Sequence, residues 1–116
     1  MVYRHLETRR DGPIERLTLN RPDVRNALND EVIAELTEWA AAAGADRAVR
    51  TVVIAGAGKM FCAGADVRWM AKTVAYTEAE NLRDATALSR MYGAIDALPV
   101  PVIGRIHGAA LGGGAG

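Results

Sequence analysis

Thr51-Val52-Val53-Ile54-Ala55 is a run of β-branched and apolar residues, and such a run predicts a buried strand. A loop of mostly small residues follows over 55–66, and a short helix is expected to begin near Asp66. The same succession recurs later in the chain. There a predicted strand, Val102–His107, precedes a glycine-rich turn over 108–116 that is expected to lead into a helix. Strands that pass through tight loops into helices are typical of α/β folds.

A β-hairpin is predicted ahead of this strand. The segments Val2–Glu7 and Arg16–Asn20 each alternate in part between apolar and polar residues, and Asp11-Gly12-Pro13 supplies turn residues between them. Pro22 is expected to end the second strand, and the stretch from 21 to 28 has no regular pattern. The chain is therefore expected to start with two antiparallel strands and an irregular loop.

Two amphipathic helices are predicted between the strands. Asn29 or Asp30 can cap the first helix, and Gly44 is expected to end it. Its expected buried face consists of Val32, Ile33, Leu36, Trp39, Ala40 and Ala43. The second helix is predicted from about Thr77 to Ala97, with an apolar face of Leu82, Ala85, Leu88, Met91, Tyr92 and Ile95. The main elements follow in the order β, β, α, β, α, β, which is α/β in character.

The composition indicates one soluble globular domain. The 116 residues include 14 Lys and Arg against 14 Asp and Glu, so the formal net charge is zero and no partner nucleic acid or anionic membrane is expected. Half of the residues are hydrophobic, yet no apolar run approaches the roughly 18 residues of a membrane span. Cys62 is the single cysteine and the first residues lack a signal-peptide pattern, so a cytoplasmic protein is predicted.

The last residues predict an interrupted domain. The sequence ends with Leu111-Gly112-Gly113-Gly114-Ala115-Gly116, and glycines of this kind normally serve turns and close backbone approach within a fold. A glycine-rich turn with nothing after it is hard to reconcile with a complete domain. Residues 1–116 are therefore expected to be the N-terminal part of a single domain.

The usual catalytic side chains form no recognisable cluster along the sequence. His5, His107 and Cys62 lack the spacing of metal ligands, so no metal site is predicted. His107 ends a predicted strand beside a glycine turn, where either the edge of a site or a structural role fits. Cys62 fits either a nucleophile or a packed small residue. Ser89 lies inside a predicted helix and not on a nucleophile elbow, so a hydrolase triad finds no support.

Gly56-Ala57-Gly58-Lys59 invites comparison with nucleotide-binding loops. A P-loop requires a glycine five residues before the Gly-Lys pair, and Val53 stands at that position. A dinucleotide fingerprint requires a third glycine where Phe61 stands. Both spacings fail, which disfavours a nucleotide-binding module.

Two loops rich in small residues remain as candidates for a site. They are Phe61-Cys62-Ala63-Gly64-Ala65-Asp66 and Gly108-Ala109-Ala110-Leu111-Gly112-Gly113-Gly114, and each follows a predicted strand. Small side chains let a ligand reach backbone N–H groups, and two such groups can converge on a developing oxyanion. The alternative is that both loops are tight turns in a packed α/β core. The residues alone leave these two interpretations open.

Three motifs together resemble the enoyl-CoA hydratase/isomerase, or crotonase, family. They are Asn20-Arg21-Pro22-Asp23-Val24-Arg25-Asn26-Ala27-Leu28, Phe61-Cys62-Ala63-Gly64-Ala65-Asp66-Val67-Arg68-Trp69-Met70 and His107-Gly108-Ala109-Ala110-Leu111-Gly112-Gly113-Gly114. The resemblance covers essentially the whole chain but only about the first half of a typical member, so the chain alone is expected to be inactive. It implies the crotonase fold, a right-handed spiral of β-β-α units that assembles as trimers or hexamers.

The resemblance also implies an acyl-CoA substrate and no further cofactor. The backbone N–H groups of Ala65 and Gly113 would form an oxyanion hole for a thioester enolate. The expected reaction adds water to a 2-enoyl-CoA in fatty-acid or branched-chain amino-acid catabolism. The implied substrate-binding residues on the two sides of the CoA path are Val24, Arg25 and Ala27, and Ala63, Gly64, Asp66 and Val67.

Gly116 departs from the family pattern. Hydratases of the family usually carry a catalytic glutamate three residues after the oxyanion glycine, which is this position. Isomerases, dehalogenases and thioester hydrolases of the family also have a different residue at this position. A glycine at this position, the segment Ala65–Met70 and the pair Met91-Tyr92 together resemble the sequence pattern of bacterial methylglutaconyl-CoA hydratases. The alternative from another class is a non-catalytic acyl-CoA-binding or interaction protein with the same fold, which the missing carboxylate favours.

Overall fold

Strands and helices follow one another along residues 3–116, the part of the chain that the computed structural model describes. The strands are β1 (Leu6–Asp11), β2 (Ile14–Leu19), β3 (Thr51–Gly56) and β4 (Val102–Arg105). The α-helices are α1 (Asp30–Ala45), α2 (Val67–Thr73) and α3 (Glu78–Asp96), and 3-10 turns cover Pro22–Val24 and Gly112–Ala115. The α/β class is confirmed. Within residues 3–116, no helix has the length and apolar character needed to cross a membrane.

The four strands form one mixed sheet in the order β1-β2-β3-β4. β1 and β2 are antiparallel, whereas β3 runs parallel to β2 and β4 runs parallel to β3. Parallel neighbours need a crossover, which α1 supplies for the first pair and α2 with α3 for the second. The loops that follow β3 and β4 therefore leave the same edge of the sheet side by side.

The predicted hairpin is present, but its strands lie closer to the turn than predicted. Asp11 pairs with Ile14 across the connection Gly12-Pro13, and Gly12 has a φ of +57°. The first strand was predicted to end at Glu7, yet β1 continues to Asp11 through mostly exposed residues. Because β1 is an edge strand, its charged side chains stay in water. The predicted start of that strand at residue 2 lies outside the described residues.

Helix α1 follows most of its sequence signals. Asn29 caps it, and its side-chain oxygen accepts the N–H of Val32 at 2.9 Å. Gly44 does not end the helix as predicted, because α1 runs on to Ala45 and ends where Asp46 adopts an extended conformation. The residues predicted to face inward are all buried: Val32, Ile33, Leu36, Trp39, Ala40 and Ala43.

The core lies between one face of the sheet and helices α1 and α3. Leu17 of β2 and Val52 of β3 are fully buried, and they share one hydrophobic cluster with Trp39 of α1 and Met91 of α3. The indole N–H of Trp39 donates to the Glu15 carboxylate at 2.9 Å, so its polar atom has a partner. This packing fixes the direction of the strands and hence the place where their loops emerge.

Helix α3 and strand β4 are more exposed to solvent than their sequences predict. Thr77 caps α3 in a capping box, in agreement with the predicted start. Of the predicted apolar face only Met91 is buried, and Leu82 is 67% exposed. β4 ends at Arg105, two residues before its predicted end, and all its residues are exposed. Among the described residues β4 is an edge strand with β3 as its one neighbour, which explains this exposure.

Leu17→Ala is expected to lower the free energy of unfolding by about 2–5 kcal/mol, because it leaves a cavity at a fully buried position in the sheet. Leu82→Ala makes the same chemical change at an exposed position and is expected to alter stability by less than about 0.5 kcal/mol. Urea unfolding of the protein expressed from its complete reading frame measures both variants. Equal losses would contradict this placement of the core.

Candidate active site

The loops that follow β3 and β4 are joined by backbone hydrogen bonds. The N–H of Phe61 donates to the carbonyl oxygen of His107 at 2.9 Å. The N–H of Leu111 donates to the carbonyl oxygen of Cys62 at 3.0 Å, and Cys62 and Ala110 form a parallel bridge. The parallel pairing of the two strands thus resumes beyond their ends. It places the two small-residue loops singled out in the sequence beside each other.

The loop before α1 also pairs with the loop after β3. The N–H of Leu28 donates to the carbonyl oxygen of Gly64 at 2.7 Å, and the N–H of Asp66 donates back to the carbonyl oxygen of Leu28 at 2.7 Å. A third bond runs from the N–H of Ala63 to the carbonyl oxygen of Arg25 at 3.0 Å. All three motifs of the sequence therefore meet in one place, with the loop after β3 in contact with both others.

Asn26 is a buried polar residue on which these loops converge. It is 2% exposed, and its side-chain oxygen accepts the N–H of Arg21 at 2.8 Å. Its φ is +57°, a left-handed conformation that asparagine tolerates better than most residues. Its side-chain nitrogen lies within 3.1 Å of three carbonyl oxygens, those of Ala57, Met60 and Phe61. No sequence pattern assigned Asn26 a role of its own, since the three carbonyl oxygens near its side-chain nitrogen lie more than 30 residues away along the chain.

Asp66 is engaged within the same loops. Its carboxylate accepts the N–H groups of Arg68 at 2.8 Å and Trp69 at 3.3 Å, and it forms an ion pair with Arg21 at 3.1 Å. Burial raises the pKa of this carboxyl, but these N–H groups and the guanidinium lower it more, so the pKa lies below its ordinary value. Arg21 in turn donates to the carbonyl oxygen of Ala27 at 2.6 Å. This ion pair ties the start of α2 to the loop before α1.

Gly64 allows the loops after β3 and β4 to approach closely. Its φ is +91°, which side chains rarely adopt. A Cβ at this position would lie 2.8 Å from the carbonyl oxygen of Leu111 and 3.5 Å from the nitrogen of Gly113. A side chain at 64 would push the two loops apart, so the glycine is a condition of their contact.

The backbone N–H groups of Ala65 and Gly113 lie on these two adjoining loops. Within residues 3–116, neither N–H donates a hydrogen bond to another protein group. Ala65 is an exposed residue and Gly113 a half-buried one, so neither lies in the core. Buried N–H groups normally find partners inside a protein, so two N–H groups without protein partners are candidates for contact with a ligand.

An open, mainly apolar cavity of about 470 Å³ has Gly113 in its wall, whereas Ala65 does not line it. Its wall combines the residues from Gly113 to Gly116 with apolar side chains of the core. The side chains in this wall include Leu28, Phe61, Cys62, Met91 and Tyr92. An apolar cavity with a backbone N–H in its wall suits a ligand with a carbonyl group and a hydrocarbon tail.

The residues implied to bind substrate differ in exposure. The exposed or half-buried ones are Val24, Arg25, Ala63 and Val67. The buried ones are Ala27, Gly64 and Asp66. Since the Asp66 carboxylate is engaged with groups of the protein itself, any effect on a substrate would come through the shape of its loop.

Cys62 and His107 have structural partners. The Cys62 thiol is buried and lies 3.1 Å from the carbonyl oxygen of Asn26, and burial raises its pKa, which disfavours a nucleophilic thiolate. A ring nitrogen of His107 lies 2.7 Å from the carbonyl oxygen of Gly58. Within residues 3–116, no three His, Cys, Asp or Glu side chains gather in a way that could hold a metal ion.

Comparison with known proteins identifies close similarity to one family. Residues 14–116 match the family model described as enoyl-CoA hydratase/isomerase. A probable enoyl-CoA hydratase, echA6, of Mycobacterium tuberculosis is 40% identical over 98 residues, which cover 84% of this chain and 37% of that protein. The human mitochondrial Delta(3,5)-Delta(2,4)-dienoyl-CoA isomerase is 38% identical over 104 residues, covering 83% of this chain and 32% of that protein.

A solved structure shows the same similarity. The crystal structure of a putative enoyl-CoA hydratase from Streptomyces coelicolor superimposes with a TM-score of 0.92 at 36% identity, covering 98% of this chain and 42% of that one. The crotonase fold implied by the sequence motifs is thereby confirmed for the N-terminal part of such a fold. The chain spans less than half the length of each of these three proteins.

Asn26→Asp is expected to lower the free energy of unfolding by about 1–3 kcal/mol or more, because it replaces a buried N–H donor with an oxygen facing carbonyl oxygens. Asn81→Asp makes the same change at an exposed position in the first turn of α3, where a negative charge is tolerated. Its stability is expected to change by less than about 0.5 kcal/mol. Thermal and urea unfolding measure the stability of both variants. An Asn26→Asp variant as stable as the wild type would contradict the convergence of the loops on this amide.

Asp66→Asn is expected to cost about 1–3 kcal/mol of stability at pH 7, since asparagine can cap α2 but cannot pair with the charge of Arg21. Because folding lowers the pKa of Asp66, its carboxylate stabilises the native state above the unfolded pKa, and this stabilisation is lost as the pH falls through the native pKa. The difference from the wild type should therefore be constant above about pH 5 and shrink below about pH 4.

Urea unfolding between pH 2.5 and 7, on the order of five pH values, measures this difference. Asp23→Asn, at an exposed position in the loop before α1, is the matched control and is expected to change stability by less than about 0.5 kcal/mol. A cost for Asp66→Asn that grows as the pH falls would contradict the stated sign of the pKa shift.

Proposed function

Because the chain belongs to the enoyl-CoA hydratase/isomerase family, we propose that it is the N-terminal part of a crotonase-like acyl-CoA enzyme that stabilises a thioester enolate between two backbone N–H groups. The observation that carries this proposal is the pair of N–H groups at Ala65 and Gly113, which have no protein partner within residues 3–116 and lie on adjoining loops, with Gly113 in the wall of an apolar cavity. No catalytic side chain is needed for this part of the chemistry.

The chemistry requires stabilisation of an oxygen anion. When a nucleophile adds to the β-carbon of a 2-enoyl thioester, the electron pair moves through the α-carbon onto the carbonyl oxygen and forms an enolate. N–H donors that are already oriented stabilise this charge without reorganising, and each is worth a factor on the order of 10²–10³ in rate. The two donors would act on the carbonyl oxygen of the substrate, and the acyl chain would enter the cavity.

The same loops offer surfaces for the rest of the substrate. Val24, Arg25 and Ala27 would border the coenzyme A portion on one side. The segment from Ala63 to Val67 would border it on the other side. Arg25 is exposed and can meet a phosphate group of coenzyme A through its guanidinium. Coenzyme A thioester is thus the proposed ligand, as substrate and not as a resident cofactor.

We favour hydration of a 2-enoyl-CoA over isomerisation as the reaction, although the relatives include both kinds of enzyme. Hydration needs a base for the water and an acid for the α-carbon. Gly116 has no side chain for either task, so a single carboxylate elsewhere in the protein would activate the water and then deliver a proton. In its complete form the enzyme is expected to be a cytoplasmic homotrimer or hexamer, with residues 1–116 inactive alone.

A second candidate is an acyl-CoA-binding protein without turnover. The absence of a carboxylate at Gly116 is the observation that favours it. A binder would show saturable affinity for acyl-CoA in calorimetry but would add no water to any 2-enoyl-CoA. Turnover of a panel of straight, branched and dicarboxylic thioesters by the protein from the complete reading frame separates the two candidates.

Ala65→Pro in that protein is expected to lower kcat by a factor on the order of 10²–10³, because proline removes one donor from the oxyanion. Affinity for a saturated acyl-CoA should fall much less, since the ground-state carbonyl needs the donor less than the enolate does. Ala65→Gly keeps the N–H and is the matched control, with kcat expected within about threefold of the wild type. Normal kcat in a folded Ala65→Pro variant would refute the role of this N–H.

A further inference from the structure

Tyr92 reaches from helix α3 to the loop that carries one candidate donor. Its hydroxyl donates a hydrogen bond to the carbonyl oxygen of Gly113 at 2.7 Å. The same carbonyl oxygen accepts the N–H of Gly116 at 3.3 Å. Both acceptor positions of this oxygen are therefore used, one by the 3-10 turn itself and one by a side chain from another element.

The Tyr92 side chain also fills the space next to two glycines. A Cβ at Gly113 would lie 2.8 Å from the Tyr92 hydroxyl oxygen. A Cβ at Gly116 would lie 3.1 Å and 3.3 Å from the ring carbons Cε1 and Cζ, which is tighter than ordinary contact. A long side chain at 116 would thus compete with the ring for the same space.

We propose, building on the proposed function, that Tyr92 is a positioning residue that holds the Gly113 N–H in place through the Gly113 carbonyl and takes the space beside Gly116 that a side chain would need. The segment from Gly112 to Gly114 has no side chains with which to anchor itself, and glycine leaves its backbone more conformational freedom than any other residue. An oxyanion donor must be oriented before the reaction begins, so an anchor from the rigid helix is required.

The setting of Tyr92 suits an anchor rather than a proton donor. Its hydroxyl hydrogen is engaged with Gly113, and its ring belongs to the wall of the apolar cavity. Burial raises the pKa of the phenol, so it keeps its proton, and hence its hydrogen bond, through neutral and mildly alkaline pH. The anchor therefore persists over the pH range in which such an enzyme works.

Tyr92→Phe tests the hydroxyl while it keeps the ring. In the protein from the complete reading frame, kcat for a 2-enoyl-CoA is expected to fall about three- to tenfold, the value of one ordinary hydrogen bond, with KM within about twofold. Tyr76→Phe makes the same change at a half-buried position whose side chain forms no hydrogen bond within residues 3–116, and its kinetics should match the wild type. An unchanged kcat, or a loss confined to KM, would overturn the proposal.

A second readout does not depend on activity. In protein with 13C-labelled glycine carbonyls, the Gly113 resonance is expected to move upfield in Tyr92→Phe, since its carbonyl loses a donor, and to stay in place in Tyr76→Phe. An unmoved Gly113 resonance would overturn the anchor, whatever the kinetics. If the wild type turned over no enoyl-CoA, the proposed function would fail, and this resonance would still decide whether the Tyr92 hydroxyl fixes the Gly113 carbonyl.

Discussion

The buried amide of Asn26 is the interaction on which the site depends. Its side-chain nitrogen contacts the carbonyl oxygens of Ala57, Met60 and Phe61, and it thereby links the loop before α1 to the loop after β3. Beside it, Leu28 pairs with Gly64 and Asp66, and the loop after β3 lies against the loop after β4. The two candidate N–H groups therefore lie on loops held together by backbone pairing and by one buried side chain from a third loop.

The proposed function assigns the stabilisation of the enolate to the backbone. A carbonyl oxygen that gains charge needs donors that cannot turn away, and peptide N–H groups in a paired loop meet that condition. Small residues are then required so that loops approach each other and a ligand approaches them, as the contact between Gly64 and Leu111 illustrates. The proposed oxyanion donors leave no side-chain signature in the sequence, because a backbone N–H is shared by every residue except proline.

The sequence predicted what depends on local pattern. Period and capping chemistry within a few residues predict every inward residue of α1, a cap at Asn29 or Asp30, and a start of α3 near Thr77. The predicted end of the first hairpin strand was wrong because edge strands tolerate charged residues. Gly44 did not end α1 because glycine permits a helix end without requiring one. The Arg21–Asp66 ion pair and the contacts of the Asn26 side-chain nitrogen join residues more than 30 positions apart, and no local pattern encodes them.

The most direct test of the account is a crystal structure of the protein from its complete reading frame with a bound acyl-CoA thioester. The account predicts that the thioester carbonyl oxygen lies about 2.7–3.1 Å from the backbone nitrogens of both Ala65 and Gly113, with the acyl chain in the neighbouring cavity. A thioester oxygen bound to side chains elsewhere, with both of these N–H groups left to solvent, would contradict it.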